Sequence, residues 1–187
     1  MSGLTAAKPT RTAARAHWLG PVAALLLLLA LLFVAEPMRV GSASMAPTFA
    51  PGDQVVVDKL TPRMFRPHRM DVVTAKVPGA RQSMLKRVLG VGGDTVAIED
   101  GVLYVNGRLV AEPYVDLRLM DSVYFGPVEV PQGTVFLLGD NRPTSIDSRS
   151  FGPVPEADIS GLVRLRWWPP RPSPSPSPAH DPPLEVR

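Results

Sequence analysis

The chain of 187 residues has room for one domain of ordinary size. Hydrophobic residues make up 45% and charged residues 20%, which excludes a wholly disordered polymer. Cysteine is absent, so disulfide scaffolds, thiol nucleophiles and thiolate metal sites are excluded together, and a net charge of +3 is too small to argue for nucleic acid.

Residues 1–17 carry Lys8, Arg11 and Arg15 and no acidic residue. Residues 18–35 (WLGPVAALLLLLALLFVA) carry no charge at all, and Glu36 follows them. As a helix this run is roughly 27 Å long, close to the hydrocarbon thickness of a bilayer. A cleavable leader with a small-residue site at 41–43 is the alternative, but the run exceeds the usual h-region of about 7–15 residues. The expectation is a single-pass anchor in the cell membrane, with a basic cytoplasmic N-terminus and everything after residue 35 outside.

From residue 36 to 168 the pattern changes to short β-type runs. Residues 54–57 (QVVV), 71–74 (DVVT), 95–98 (TVAI), 102–105 (VLYV) and 134–138 (TVFLL) are β-branched or aromatic, bounded by Gly, Pro, Asp or Asn. Asp100-Gly101 and Asn106-Gly107 are tight-turn signals, so residues 95–110 read as a three-stranded meander. No segment after the anchor keeps a helical period over ten residues. The fold class expected is mainly β, an antiparallel domain behind one helix. Residues 169–187 hold eight of the 22 prolines and read as a disordered Pro/Ser-rich tail.

The three histidines (His17, His68 and His180) stand against the anchor, in a proline- and arginine-rich turn, and in the tail. None suits a Ser-His-Asp triad or a metal centre, and no phosphate-binding glycine loop exists. Three segments remain. The first is VGSASMAPT at 40–48, where Ser44 sits among small residues that allow a substrate backbone to approach; taken alone, such a serine is usually just a turn. The second is MLKRVLGVGGD at 84–94. If 84–88 is a strand, Met84, Lys86 and Val88 share a face, and a lysine between apolar neighbours is pushed toward its neutral form. The competing picture is a lysine at a strand edge with its ammonium in water. The third is LLGDNRPTSIDSRSFGP at 137–153, dense in hydrogen-bonding groups that serve the loop itself or hold a serine against the lysine.

Together the segments resemble, in order and spacing, the boxes of the type I signal peptidases, membrane-anchored Ser-Lys proteases that remove leader peptides. The resemblance rests on SASMAPT (42–48), RMDVV (69–73), KRVLGVGGD (86–94), GDNR (139–142), SIDSR (145–149) and FG (151–152), and covers roughly residues 40–168. It implies Ser44 as nucleophile and Lys86 as general base. Ser42 would join the Ser44 N–H in an oxyanion hole, Ser145 would orient the lysine amine, and Asp147 with Arg149 would form a supporting ion pair. It further implies a signal peptidase-like β fold with a small insertion at about 93–133, no metal or cofactor, and a monomer in contact with the lipid bilayer. The implied substrates are preprotein signal peptides with Ala-X-Ala sites. A protease dedicated to one secreted or pilin-like substrate and an inactive membrane-tethered binding module are the alternatives. Trp167 and Trp168 read either as interfacial aromatics or as packing residues. Met70 stands where the family usually has glycine, and Pro143-Thr144 replaces a commoner polar pair.

Overall fold

The computed structural model describes residues 19–116 and 123–168. Its two units, residues 1–35 and 36–187, are taken separately. In the first, helix α1 spans Leu19–Val34, 16 residues. At 1.5 Å per residue it is about 24 Å long, and among the described residues no helix is long and apolar enough to cross a membrane. Trp18 lies outside the described residues, and Ala35, expected in the helix, opens strand β1 instead. Pro37 accounts for that boundary, since it lacks the N–H that would bond back to residue 33 and disfavours helical geometry at residue 36.

The second unit is built on two sheets. Strands β1 (Ala35–Arg39), β2 (Gln54–Asp58), β3 (Val72–Ala75) and β4 (Met84–Val91) precede the smaller sheet. A four-residue helix, α2 (Thr61–Met64), lies between β2 and β3. The smaller sheet uses β5 (Thr95–Glu99), β6 (Val102–Val105), β7 (Arg108–Leu109) and β8 (Phe125–Glu129). The chain then returns through β9 (Thr134–Leu138), helix α3 (Ser148–Phe151), β10 (Val154–Pro155) and β11 (Ile159–Trp168). The larger sheet has the order β1-β2-β11-β3-β4-β9-β10 and the smaller β7-β6-β5-β8. The β2–β11, β11–β3, β3–β4, β4–β9 and β9–β10 pairs are all antiparallel.

The expected meander forms as β5, β6 and β7, with Asp100 and Asn106 at φ of +50° and +54° followed by glycines at +79° and +71°. Two positive φ angles in succession are what a type I′ hairpin turn demands. The strand expected at 71–74 begins one residue later, because the Asp71 side chain accepts from the His68 N–H at 2.8 Å and closes a turn.

Every residue of β3 is buried, as are six of the eight in β4, so the middle of the large sheet is covered on both faces. The side chains of β4 and β9 divide among three apolar clusters. Val88, Val135 and Leu137 join Val73 and Ile159; Leu89, Phe136 and Leu138 join Val96 and Leu103; Leu85 joins Met45, Val55 and Val57. Strand β4 is therefore fixed by burial on all sides, at about 1.5–3 kcal/mol for each large apolar side chain.

Candidate active site

Ser44 lies in a single 3-10 turn, Ala43–Met45. The turn is seated by Met45, fully buried in the apolar cluster beneath it, and by Asn141, whose N–H donates to the Ser44 carbonyl at 3.0 Å. The Asn141 Nδ2 donates to the Ala43 carbonyl at 3.2 Å. Because the i→i+3 bond of this short turn is donated by the Ala46 N–H to the Ala43 carbonyl, the Ser44 N–H is not consumed within it.

Lys86 occupies the middle of β4, opposite Val73, and is 3% exposed. Met84 and Val88 on its face pack into the same apolar cluster. The Nζ lies 2.9 Å from Ser44 Oγ and 3.2 Å from the Leu85 carbonyl. Burial is the largest influence on this amine and holds its pKa below the ordinary 10.5; Asp147 and Asp140 pull the other way and do not prevail. Ser42 Oγ sits 3.2 Å from Ser44 Oγ, so the nucleophile candidate lies between a hydroxyl and an amine.

The loop after β9 closes over these groups. Asp147, wholly buried, accepts from Arg149 Nε at 2.8 Å and Nη2 at 2.9 Å, and from the Gly139 N–H at 3.1 Å. Arg149 Nη2 reaches on to the carbonyls of Arg142 (2.6 Å) and Ser145 (3.3 Å). Ser148 Oγ accepts from the Leu137 N–H at 2.9 Å. Gly139 is the tight point, since a Cβ there would fall on the Ser145 side chain and the Ser44 carbonyl. Ser145 Oγ is buried beside it without a hydrogen-bond partner among the described residues; no bond joins it to Lys86.

A buried polar layer that the sequence reading did not assign lies behind the dyad. Arg87 grips Asp140 through Nε (2.8 Å) and Nη2 (2.7 Å), donates to the Met70 carbonyl, and stacks 4.0 Å over the Tyr114 ring. Burial disfavours its charge, but the pair with Asp140 outweighs this and raises its pKa. Arg142, with no exposed side-chain surface, pairs with Glu112 and donates to the Gly139 carbonyl at 3.1 Å. Tyr114 donates to the same Glu112 at 3.0 Å. The only signal in the sequence was two polar residues flanking Pro113 in a short segment between strands. Met70, the residue in place of glycine, has φ +73°, the conformation that favours glycine.

A cleft of about 840 Å³ opens on the dyad, lined by Met38, Val40, Ser42, Ser44, Leu85 and Lys86 among others. An open groove ending on a hydroxyl 2.9 Å from a buried amine has the parts for nucleophilic attack on a carbonyl.

The family model described as signal peptidase, peptidase S26, matches residues 14–168. Signal peptidase I V of Bacillus subtilis is 39% identical over 139 residues, which is 67% of this chain and 81% of that protein. Signal peptidase I of Mycobacterium tuberculosis is 34% identical, covering 81% of this chain and 71% of its own length. A crystal structure of a signal peptidase I from Enterococcus faecalis is 33% identical, with a TM-score of 0.47 and coverage of 54% of this chain and 98% of its own. By the extent of the family-model match and of the Bacillus subtilis match, the chain belongs to the signal peptidase family, peptidase S26.

Proposed function

We propose that this protein is a Ser-Lys endopeptidase that removes signal peptides from exported preproteins at Ala-X-Ala sites. The observation that carries the reading is the 2.9 Å approach of Lys86 Nζ to Ser44 Oγ inside an apolar setting that favours the neutral amine. In this reading neutral Lys86 takes the Ser44 proton as Oγ attacks the scissile carbonyl, and the resulting ammonium protonates the departing amine. The Ser44 N–H and the Ser42 hydroxyl receive the oxyanion, each worth roughly 3–4 kcal/mol in comparable hydrolases. Water, activated by the same lysine, then frees the acyl group.

Ser145 is assigned the role of steadying the lysine amine. Its support is an unpaired buried hydroxyl pressed against Gly139, at the cost of about 1–3 kcal/mol for a polar group left without a partner. Asp147 and Arg149 keep the loop in place. The uncharged run through residue 35 supports a membrane anchor with the catalytic unit outside.

The test is purified protein incubated with a preprotein, with the cut mapped by mass spectrometry. Ser44→Ala and Lys86→Ala are each expected to abolish cutting while the circular dichroism spectrum stays unchanged. Near-normal turnover by either variant sinks the dyad.

A further inference from the structure

Three arginines pack around the loop that closes on the dyad, and each meets its own carboxylate. Arg87 meets Asp140 and Arg149 meets Asp147, both acids belonging to the loop itself. Arg142 instead meets Glu112, which stands 30 residues earlier, between β7 and β8 of the smaller sheet. The two side chains are 0% and 4% exposed. The endopeptidase reading uses Asp147 and Arg149 to hold the loop and gives Glu112 no task.

Glu112 is itself firmly seated. Its carbonyl accepts from the Val115 N–H at 3.0 Å, Val115 is buried, and Val110 packs on the apolar cluster of the small sheet. Tyr114 donates to the carboxylate at 3.0 Å while its ring lies under Arg87 at 4.0 Å. Burial pushes the Glu112 carboxyl above its ordinary range, and Arg142 and Tyr114 oppose that push.

From Arg142 the contacts reach the nucleophile in two short steps. Arg142 Nε donates to the Gly139 carbonyl at 3.1 Å, and the Gly139 N–H donates to Asp147 at 3.1 Å. This glycine is therefore pinned from both sides, once from within the loop and once from outside it. It has no room to shift, because the Ser145 side chain and the Ser44 carbonyl crowd the place of a Cβ. Two residues on, the Asn141 N–H donates to the Ser44 carbonyl at 3.0 Å.

We propose that Glu112 is a positioning residue for the reaction: it holds Arg142, which fixes residues 139–142 and through them the Ser44 hydroxyl against Lys86. The inference rests on the endopeptidase reading above and gives the excursion into the smaller sheet a part in it. The effect falls on the rate of the chemical step, since a nucleophile displaced by a fraction of an ångström loses its line of attack.

The experiment uses the full chain in excess over a leader peptide with one Ala-X-Ala site, following a single turnover across enzyme concentrations. A partly unfolded variant still reaches the unaltered limiting rate, only at higher total protein, so the limiting rate reads geometry and the half-saturating concentration reads folding and binding. Glu112→Ala is expected to lower the limiting rate about thirtyfold, with half-saturation within about twofold. Glu112→Gln keeps an oxygen acceptor for Arg142 and is expected to recover most of this, leaving a loss of about fivefold. Tyr114→Phe removes only the donation to Glu112, leaves the ring under Arg87, and should cost about twofold to threefold. Should Glu112→Ala fail to fold, these two variants carry the test. Action through Arg142 has its own check: Arg142→Met/Glu112→Ala should match Arg142→Met alone within about twofold.

A limiting rate within about twofold of the unaltered protein in both Glu112 variants overturns the proposal. So does a loss confined to the half-saturating concentration, which makes the pair a matter of stability alone. A Gln variant no faster than the Ala variant, or losses that multiply in the double variant, overturn it as well. Failure of the unaltered protein to cut the peptide or a preprotein brings down the Ser-Lys reading instead, a result distinct from all of these.

Discussion

The small sheet and the loop after β9 bury their side chains by opposite rules. In β5 and β6 the buried positions are Val96, Ile98, Leu103 and Val105, alternating with more exposed neighbours. Around residues 139–149 the buried set is Asp140, Arg142, Asp147 and Ser148, with Lys86 and Arg87 on the facing strand. Apolar side chains tolerate any neighbour of the right size, whereas a buried charge must have a specific partner or lose its charge. The adjacent pair Lys86 and Arg87 shows both outcomes. Arg87 has Asp140 and stays charged; Lys86 has only a hydroxyl and a carbonyl, and its amine is pushed toward neutrality.

That contrast is open to attack at several points. The largest expected effect is on Lys86→Arg. A guanidinium stays protonated near neutral pH, so kcat/KM should fall about a thousandfold or more in a leader-peptide assay. Next comes Arg87→Met, which leaves Asp140 buried without its cation. A loss of about 3–5 kcal/mol in urea-unfolding stability is expected, and a loss under 1 kcal/mol means the pair is dispensable. Smaller and of opposite sign is Lys86→Met. It removes an amine whose charged form burial disfavours, so the inactive variant should gain about 1–2 kcal/mol, read as a rise of a few degrees in Tm. Unchanged or lower stability contradicts the unpaired character of this amine. Met70→Gly is expected to have the smallest effect, about 0.5–1 kcal/mol of stabilisation from relief of φ +73°, with activity within about twofold.

Titration sharpens the same comparison. Because the folded pKa of Lys86 lies below the ordinary 10.5, the unfolded chain binds more protons between those two values, and this group's stability contribution rises with pH across that window. Below the depressed value the amine is protonated and cannot accept from Ser44. The kcat/KM profile should therefore decline on its acid side as pH falls through that value. A profile flat down to pH about 5 argues against a lysine base.

The sequence made the alternating strands legible, because a period of two with β-branched residues and Asx-Gly turns is a local signal. Strands β2, β6 and β9 lie where that signal put them or within one residue of it. Strands β1 and β8 were not read, since AEPMR and FGPVE carry proline and charge and are held by their sheet neighbours rather than by local preference. The approach of Ser44 to Lys86 and the pairing of Asp147 with Arg149 were anticipated through the resemblance of the boxes, not through any rule of spacing. Glu112, Tyr114 and Asp140 were missed as a group. Asp140 meets Arg87 across 53 residues of sequence and Glu112 meets Arg142 across 30, and single-residue chemistry gives no hint of which distant arginine each one meets.

The turn that carries Ser44 is fastened to the loop after β9 through the Asn141 amide, and Gly139 leaves no slack between them. The two segments therefore open together or not at all, and deuterium uptake at that single amide gauges whether the whole constellation is intact, without any substrate being turned over.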